Sequence, residues 1–217
     1  MSVNINASTT NGLVLTSDTS GEIKLQANGA DIATVDSSGI TMASGKTLPA
    51  SALTGTLPSG TNVISTGTSV ASTSGTSIDF TSIPSWVKRI TVILNGVSTN
   101  GGDLPQIQLG TSGGIVTSGY LGSQSYLAGS SGATNLTTGL PTGQAASSNH
   151  IRHGMVIITN ITGNIWTSLA MIGLSNQAEL GLGCGSITLS GTLDRLRITT
   201  TGGTDTFDAG NINILYE

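Results

Sequence analysis

The chain has 217 residues, 8% of them charged and 3% aromatic, with 31 glycines and a formal net charge of -4. Seven basic residues, spread without a cluster, leave no electrostatic footprint for nucleic acid or an anionic lipid surface. No apolar run approaches the roughly 18 residues that a membrane-spanning helix needs, which excludes helical insertion.

Hydrophobic residues still reach 36%. They come in short, β-branched runs between Gly, Ser, Thr and Asn, a texture that predicts an all-β protein rather than a disordered one. Charge does not separate the halves. Residues 1–78 hold four acids and two lysines, and residues 79–217 hold seven acids and five bases.

The first residues, MSVNINAST, carry no basic n-region and no long apolar stretch, so no secretory signal peptide is expected. Leu13-Val14-Leu15, Ile23-Lys24-Leu25, residues 32–35 and Ile40-Thr41-Met42 are the first apolar runs. Ser20-Gly21, Asn28-Gly29 and Ser38-Gly39 punctuate them in a hairpin rhythm of about eight to ten residues. Each run is too small to build a core within one chain. Copies wound about a common axis would bury Leu13, Leu15, Ile23, Leu25, Ile32, Val35 and Ile40 against one another, and a trimer is expected. Pro49, Pro58 and the Ser/Thr/Gly-rich residues 61–75 read as a linker. Residues 1–78 together read as an interwoven stalk or attachment segment.

The texture changes near residue 79. Ile78, Phe80 and Ile83 lead into WVKRITVILNGV (86–97), the densest strand signal in the chain. Ile90, Val92 and Leu94 alternate there with Arg89, Thr91 and Ile93, between Pro84 and Asn95-Gly96. Trp86 is expected to pack with them. Further strands are predicted at 107–109, 115–117 and 120–121, followed by a long polar loop over 123–149. Residues 155–160 are nearly continuously apolar, as in a strand buried on both faces. Strands at 166–172, 187–189, 193–200 and 212–217 complete the chain, with Trp166 in the core and Ile212, Ile214 and Tyr216 on one face. About eight strands in residues 79–217 predict a β-sandwich, jelly-roll-like, and no amphipathic helix is visible.

Residues 79–217 resemble the C-terminal tip domains of bacteriophage and prophage tail-fibre proteins. The matching phrases are IPSWVKRITVILNGVSTNG (83–101), PQIQLGTSGGIVTSGYLGS (105–123) and LDRLRITTTGGTDTFDAGNINILYE (193–217). The stretch SGEIKLQANGADIATVDSSGITMASGKTL (20–48) is similar to repeat segments of phage fibre and other virion structural proteins. The resemblance implies a homotrimeric virion fibre, made in the host cytoplasm and carried on the particle. Its N-terminal end would attach to other virion proteins, and its tip would bind a host surface glycan or outer-membrane component. A head or neck fibre or decoration protein with a purely structural role is the alternative, favoured by the short stalk. The His-x-His repeats of some phage fibres have no counterpart in the single stretch His150-Ile151-Arg152-His153.

Glycan recognition stacks an aromatic face on the sugar and adds Asn, Asp or Gln hydrogen bonds. Tyr126, in the long polar loop, is the first candidate for a receptor contact, and Tyr120 the second, with Asn100 and Asp103 in another Gly-rich loop. Three residues apart on a strand, His150 and His153 would point to opposite faces, so no metal is expected there. Asp205 and Asp208 in GGTDTFDAGN read as turn residues rather than calcium ligands. Cys184, the single cysteine, reads as a packed thiol within GLGCGS. No cofactor is expected, and no enzyme. The carboxylates form no pair along the sequence of the kind that glycan hydrolysis uses, and no nucleophile elbow stands between a strand and a helix.

Overall fold

The computed structural model describes residues 21–48, 64–143 and 147–217. All the regular elements among them are β-strands, in antiparallel sheets. The chain divides into two compact units, Met1–Thr61 and Asn62–Glu217. The division therefore lies upstream of residue 78, where the sequence suggested it. Part of the expected linker, residues 65–78, belongs to the second unit. Leu13, Leu15 and the linker residues 49–63 lie outside the described residues.

In the first unit, β1 (Ile23–Ala27), β2 (Ala30–Asp36) and β3 (Gly39–Met42) form a three-stranded sheet in that order. Asn28 and Gly29 join β1 to β2 with φ of 52° and 76°, the left-handed pair that a two-residue hairpin turn requires. Ala33 is the buried apolar side chain among the described residues here, while Ile23, Leu25, Ile40 and Leu48 are exposed. Among the described residues, the sheet has turns and register but no core of its own.

The second unit begins with β4 (Ser65–Thr66), β5 (Val70–Ala71), β6 (Ser77–Phe80), β7 (Arg89–Thr99), β8 (Pro105–Thr111) and β9 (Gly114–Ile115). It continues with β10 (Leu121–Leu127), β11 (Gly132–Leu136), β12 (Leu140–Pro141), β13 (Arg152–Thr162) and β14 (Ile165–Leu174). The last strands are β15 (Leu180–Thr188), β16 (Arg195–Thr200) and β17 (Phe207–Tyr216). A nine-stranded sheet runs β11-β10-β15-β14-β13-β7-β17-β4, with β5 also on β17. A five-stranded sheet runs β12-β8-β16-β6, with β9 also on β8.

One apolar cluster draws on both sheets. Ile90, Val92 and Leu94 of β7 join it as their alternation predicts, with Val156 and Ile158 of β13 and Trp166 of β14. Ile107 and Leu109 of β8 and Leu196 and Ile198 of β16 come from the smaller sheet. Pairing of β7 with both β13 and β17 places residues 89–97 inside the large sheet.

Four readings are corrected. Trp86 is 51% exposed, in the turn before β7, with its ring 5.8 Å from that of Tyr216. Val87 enters the core in its place. Residues 121–127 and 132–136 are strands, not loop, because alternating Ser and Gly can fill a sheet position when a neighbour supplies the bulk. Met155 on β13 is 48% exposed, so that strand is covered by its own chain on one face. Cys184 is exposed on β15; the buried positions of GLGCGS are Gly181 and Gly183. These glycines make room for Pro141, which a Cβ at Gly122, Gly183 or Gly185 would meet at 2.7, 2.9 and 3.0 Å.

Candidate functional site

Tyr120 offers no surface for a receptor. It is 1% exposed, and its hydroxyl accepts the Leu109 N–H at 2.8 Å and donates to the Val116 carbonyl at 2.9 Å. Burial pushes its pKa up to about 12, partly opposed by the Leu109 hydrogen bond. The hydroxyl ties the β8–β9 hairpin to the chain entering β10. Tyr126 is half-buried on β10, with its ring laid over Gly132 of β11, where a Cβ would come within 2.6 Å of it. It is the ring that fills a glycine position in the sheet.

Asn100 and Asp103 lie in the loop after β7, against the loop before β17. The Asn100 N–H donates to the Thr206 carbonyl, and the Asn100 side-chain oxygen accepts the Thr206 N–H, both at 2.9 Å. The Asp103 N–H donates to Asp205 at 2.8 Å. Each loop's aspartate sits over the other loop's glycine: a Cβ at Gly101 would meet Asp205 at 2.0 Å, and one at Gly202 would meet Asp103 at 2.0 Å. Asp205, expected in a turn, instead fastens one loop to the other, and Asp208, also expected in a turn, lies on β17; the two loops form one fastened end of the unit. Ser98 donates to Asp208 beside them.

Next to this end, the outer face of the five-stranded sheet forms a groove of about 300 Å³. The sequence reading passed over its residues. Ile107 and Leu109 take the core face of β8, which turns Gln106 and Gln108 to the opposite face, where they too are buried, at 1% and 6% exposure. Register places Gln108 beside Arg197 and Asp79, and Gln106 beside Thr199 and Ser77. Gln106 donates to the Thr200 carbonyl at 3.3 Å and accepts from the Thr138 hydroxyl at 2.8 Å. The Gln108 amide donates to the Thr138 carbonyl at 2.9 Å, and Thr199 donates to the Thr76 carbonyl at 2.8 Å. Arg197 holds Asp79 through two bonds of 2.7 Å, which raises the Arg197 pKa. Both amides are buried and bonded to the protein's own groups, so they brace the floor of the groove, and its exposed hydroxyls are those of Thr76, Thr117 and Thr201. Gly202 and Gly203 line the groove's end, so Asp103, lying over Gly202, flanks it. The signal was present as the alternation PQIQLG: uncharged amides at two successive positions on the face of a strand turned away from the core.

His150 is buried and His153 half-buried, and the His153 ring nitrogen Nδ1 accepts the Gly96 N–H at 3.2 Å. Between them, Arg152 is fully buried. Its guanidinium donates to the His150 and Ser147 carbonyls, both at 3.3 Å, and so draws residues 147–150 onto β13. Burial lowers its pKa to about 10, against the pull of Glu179, Asp208 and Asp205. Among the described residues, no three His, Cys, Asp or Glu side chains come together as a metal site.

Compared with known families, characterised proteins and solved structures, the chain matches none.

Proposed function

We propose that this is a structural fibre protein of a bacteriophage virion, a homotrimer whose second unit is an adhesive tip of the β-sandwich, jelly-roll-like kind. The reading rests on the phrases in 83–123 and 193–217 and on the two-unit division of the chain. The observation that carries the trimer is the first unit. Among the described residues nothing covers Ile23, Leu25 and Ile40 of the three-stranded sheet, and copies of itself would supply that cover. The N-terminal end is then the attachment to other virion proteins.

The groove over Gln106, Gln108 and Thr199 is the receptor-facing site of this reading. Its rim presents the exposed hydroxyls of Thr76, Thr117 and Thr201 and one guanidinium already neutralised by Asp79, above a floor of buried amides, which suits an uncharged, polyhydroxylated ligand such as a host surface glycan. Asp103 flanks it, and Tyr126 lies elsewhere on the tip. Adhesion needs no chemistry beyond binding, and three weak sites on one fibre add through avidity.

The test is binding of labelled full-length protein to intact susceptible cells, with unlabelled protein competing against phage adsorption. Saturable binding that blocks adsorption is expected. One lost hydrogen bond of about 1–1.5 kcal/mol predicts roughly 5- to 10-fold weaker binding per site for Thr117→Ala, at the groove's exposed rim. If Thr117→Ala binds normally and Tyr126→Ala does not, the groove is the wrong site. A folded protein that ignores the cells moves the reading to a head or neck structural role.

A further inference from the structure

The outer face of the nine-stranded sheet is apolar where a solvated face should be polar. Residues 165–172 of β14 alternate without losing hydrophobicity on either side. Trp166, Ala170 and Ile172 are buried, while Leu169 and Met171 remain 57% and 54% exposed. Register carries the exposed set across three central strands. Met155 of β13 lies opposite Met171, and Met171 opposite Leu182 of β15. In the next row, Leu169 lies opposite Cys184. A strand apolar on both sides belongs to a sheet covered on both sides, and this chain's own core covers one.

We infer that this face is the contact through which the tips of different copies of this chain pack together. Three observations select a second copy over another partner. The central rows hold no charged side chain, so gathering three copies of the face about a common axis brings no like charges together. The exposed apolar area of these residues with Leu180, Leu121 and Leu127 is on the order of 600–800 Å², close to the ~800 Å² each partner contributes to a standard interface and beyond the few hundred Å² usual on monomers. Two hollows, about 560 and 240 Å³, flank Cys184 and give protruding Leu and Met side chains somewhere to seat. This contact rests on the homotrimer reading above and moves part of the association from the stalk to the tip.

Cys184, the chain's single cysteine, reports on the face without mutation. The full-length protein is sized by light scattering, and Cys184 is labelled with a maleimide in native protein and in denaturant. The expected result is an assembly in which Cys184 labels far more slowly than in denaturant. Met171→Glu is then expected to shift the mass toward the 21.7 kDa of one chain and to restore fast labelling. An assembly whose Cys184 labels freely, or whose mass and shielding survive Met171→Glu, overturns the contact and leaves association through the first unit standing. A wild-type monomer overturns the contact and the trimer together, and a monomer with shielded Cys184 shows that the chain's own residues cover the face. If Met171→Glu does not fold, the wild-type labelling result decides.

Discussion

Tyr120 shows how one side chain ties three segments. Its hydroxyl serves the Leu109 N–H and the Val116 carbonyl, and its ring closes the core below β10. Burial holds its proton, so the folded-state pKa of about 12 exceeds the ordinary value of 10.0. An acid with a raised folded pKa stabilises the fold fully below pH 10 and loses that contribution as pH rises through 12. Two pKa units correspond to about 2.7 kcal/mol. Arg152 works in the opposite sense, because its lowered pKa favours the folded state as pH rises above about 10. Comparing wild type with Tyr120→Phe cancels the Arg152 part, which both proteins share. At pH 8 the variant should be about 1–2 kcal/mol less stable, having left a buried N–H and carbonyl unmatched. That gap should close or reverse by pH 12 in denaturant unfolding followed by circular dichroism. A gap independent of pH would mean that Tyr120 ionises freely in the folded protein.

At the scale of elements, β15 explains why the sequence was read well in some places and badly in others. Alternation was decisive in β7, β8, β16 and β17, where large apolar residues mark the core side and polar ones the outside. In β15 the rule inverts: the glycines Gly181 and Gly183 face the interior, and Leu180, Leu182 and Cys184 face out. Hydrophobicity alone cannot reveal that, since the inner space is filled by Pro141 of β12, more than forty positions earlier in the chain. The same non-local filling hid β10 and β11 as loop, because their small residues pack under side chains from elsewhere. The groove escaped for a related reason: Gln106 and Gln108 are unremarkable alone and become the floor of a groove through register with Thr199 and Arg197. Gly183→Ala tests the Pro141 cradle. Its Cβ would meet Pro141 at 2.9 Å and the Gly143 backbone N at 3.1 Å, so a strand must move. A loss of about 1–3 kcal/mol in unfolding free energy is expected. A neutral result would show that β12 has room to shift away from β15.

For the whole molecule, charge is the most telling global property. The chain carries -4, and the groove's Arg197 is neutralised by Asp79. On the proposed adhesion reading, attraction to a negatively charged cell surface cannot come from long-range Coulomb forces and falls to short contacts made by the hydroxyls at the groove's rim. Such contacts are insensitive to screening, whereas recognition through a basic patch weakens steeply as salt rises. Raising ionic strength from about 0.05 M to about 0.5 M shortens the screening length from roughly 14 Å to roughly 4 Å. Cell binding by the full-length protein should change by less than about twofold over that range, since the interactions assigned to the groove act at hydrogen-bond distance. Any small change should be a gain, because salt screens the repulsion between a protein of net charge -4 and an anionic surface. A loss of tenfold or more would locate recognition in a charged feature instead, and the exposed Lys88 before β7 and Arg89 at its start would then be the residues to replace.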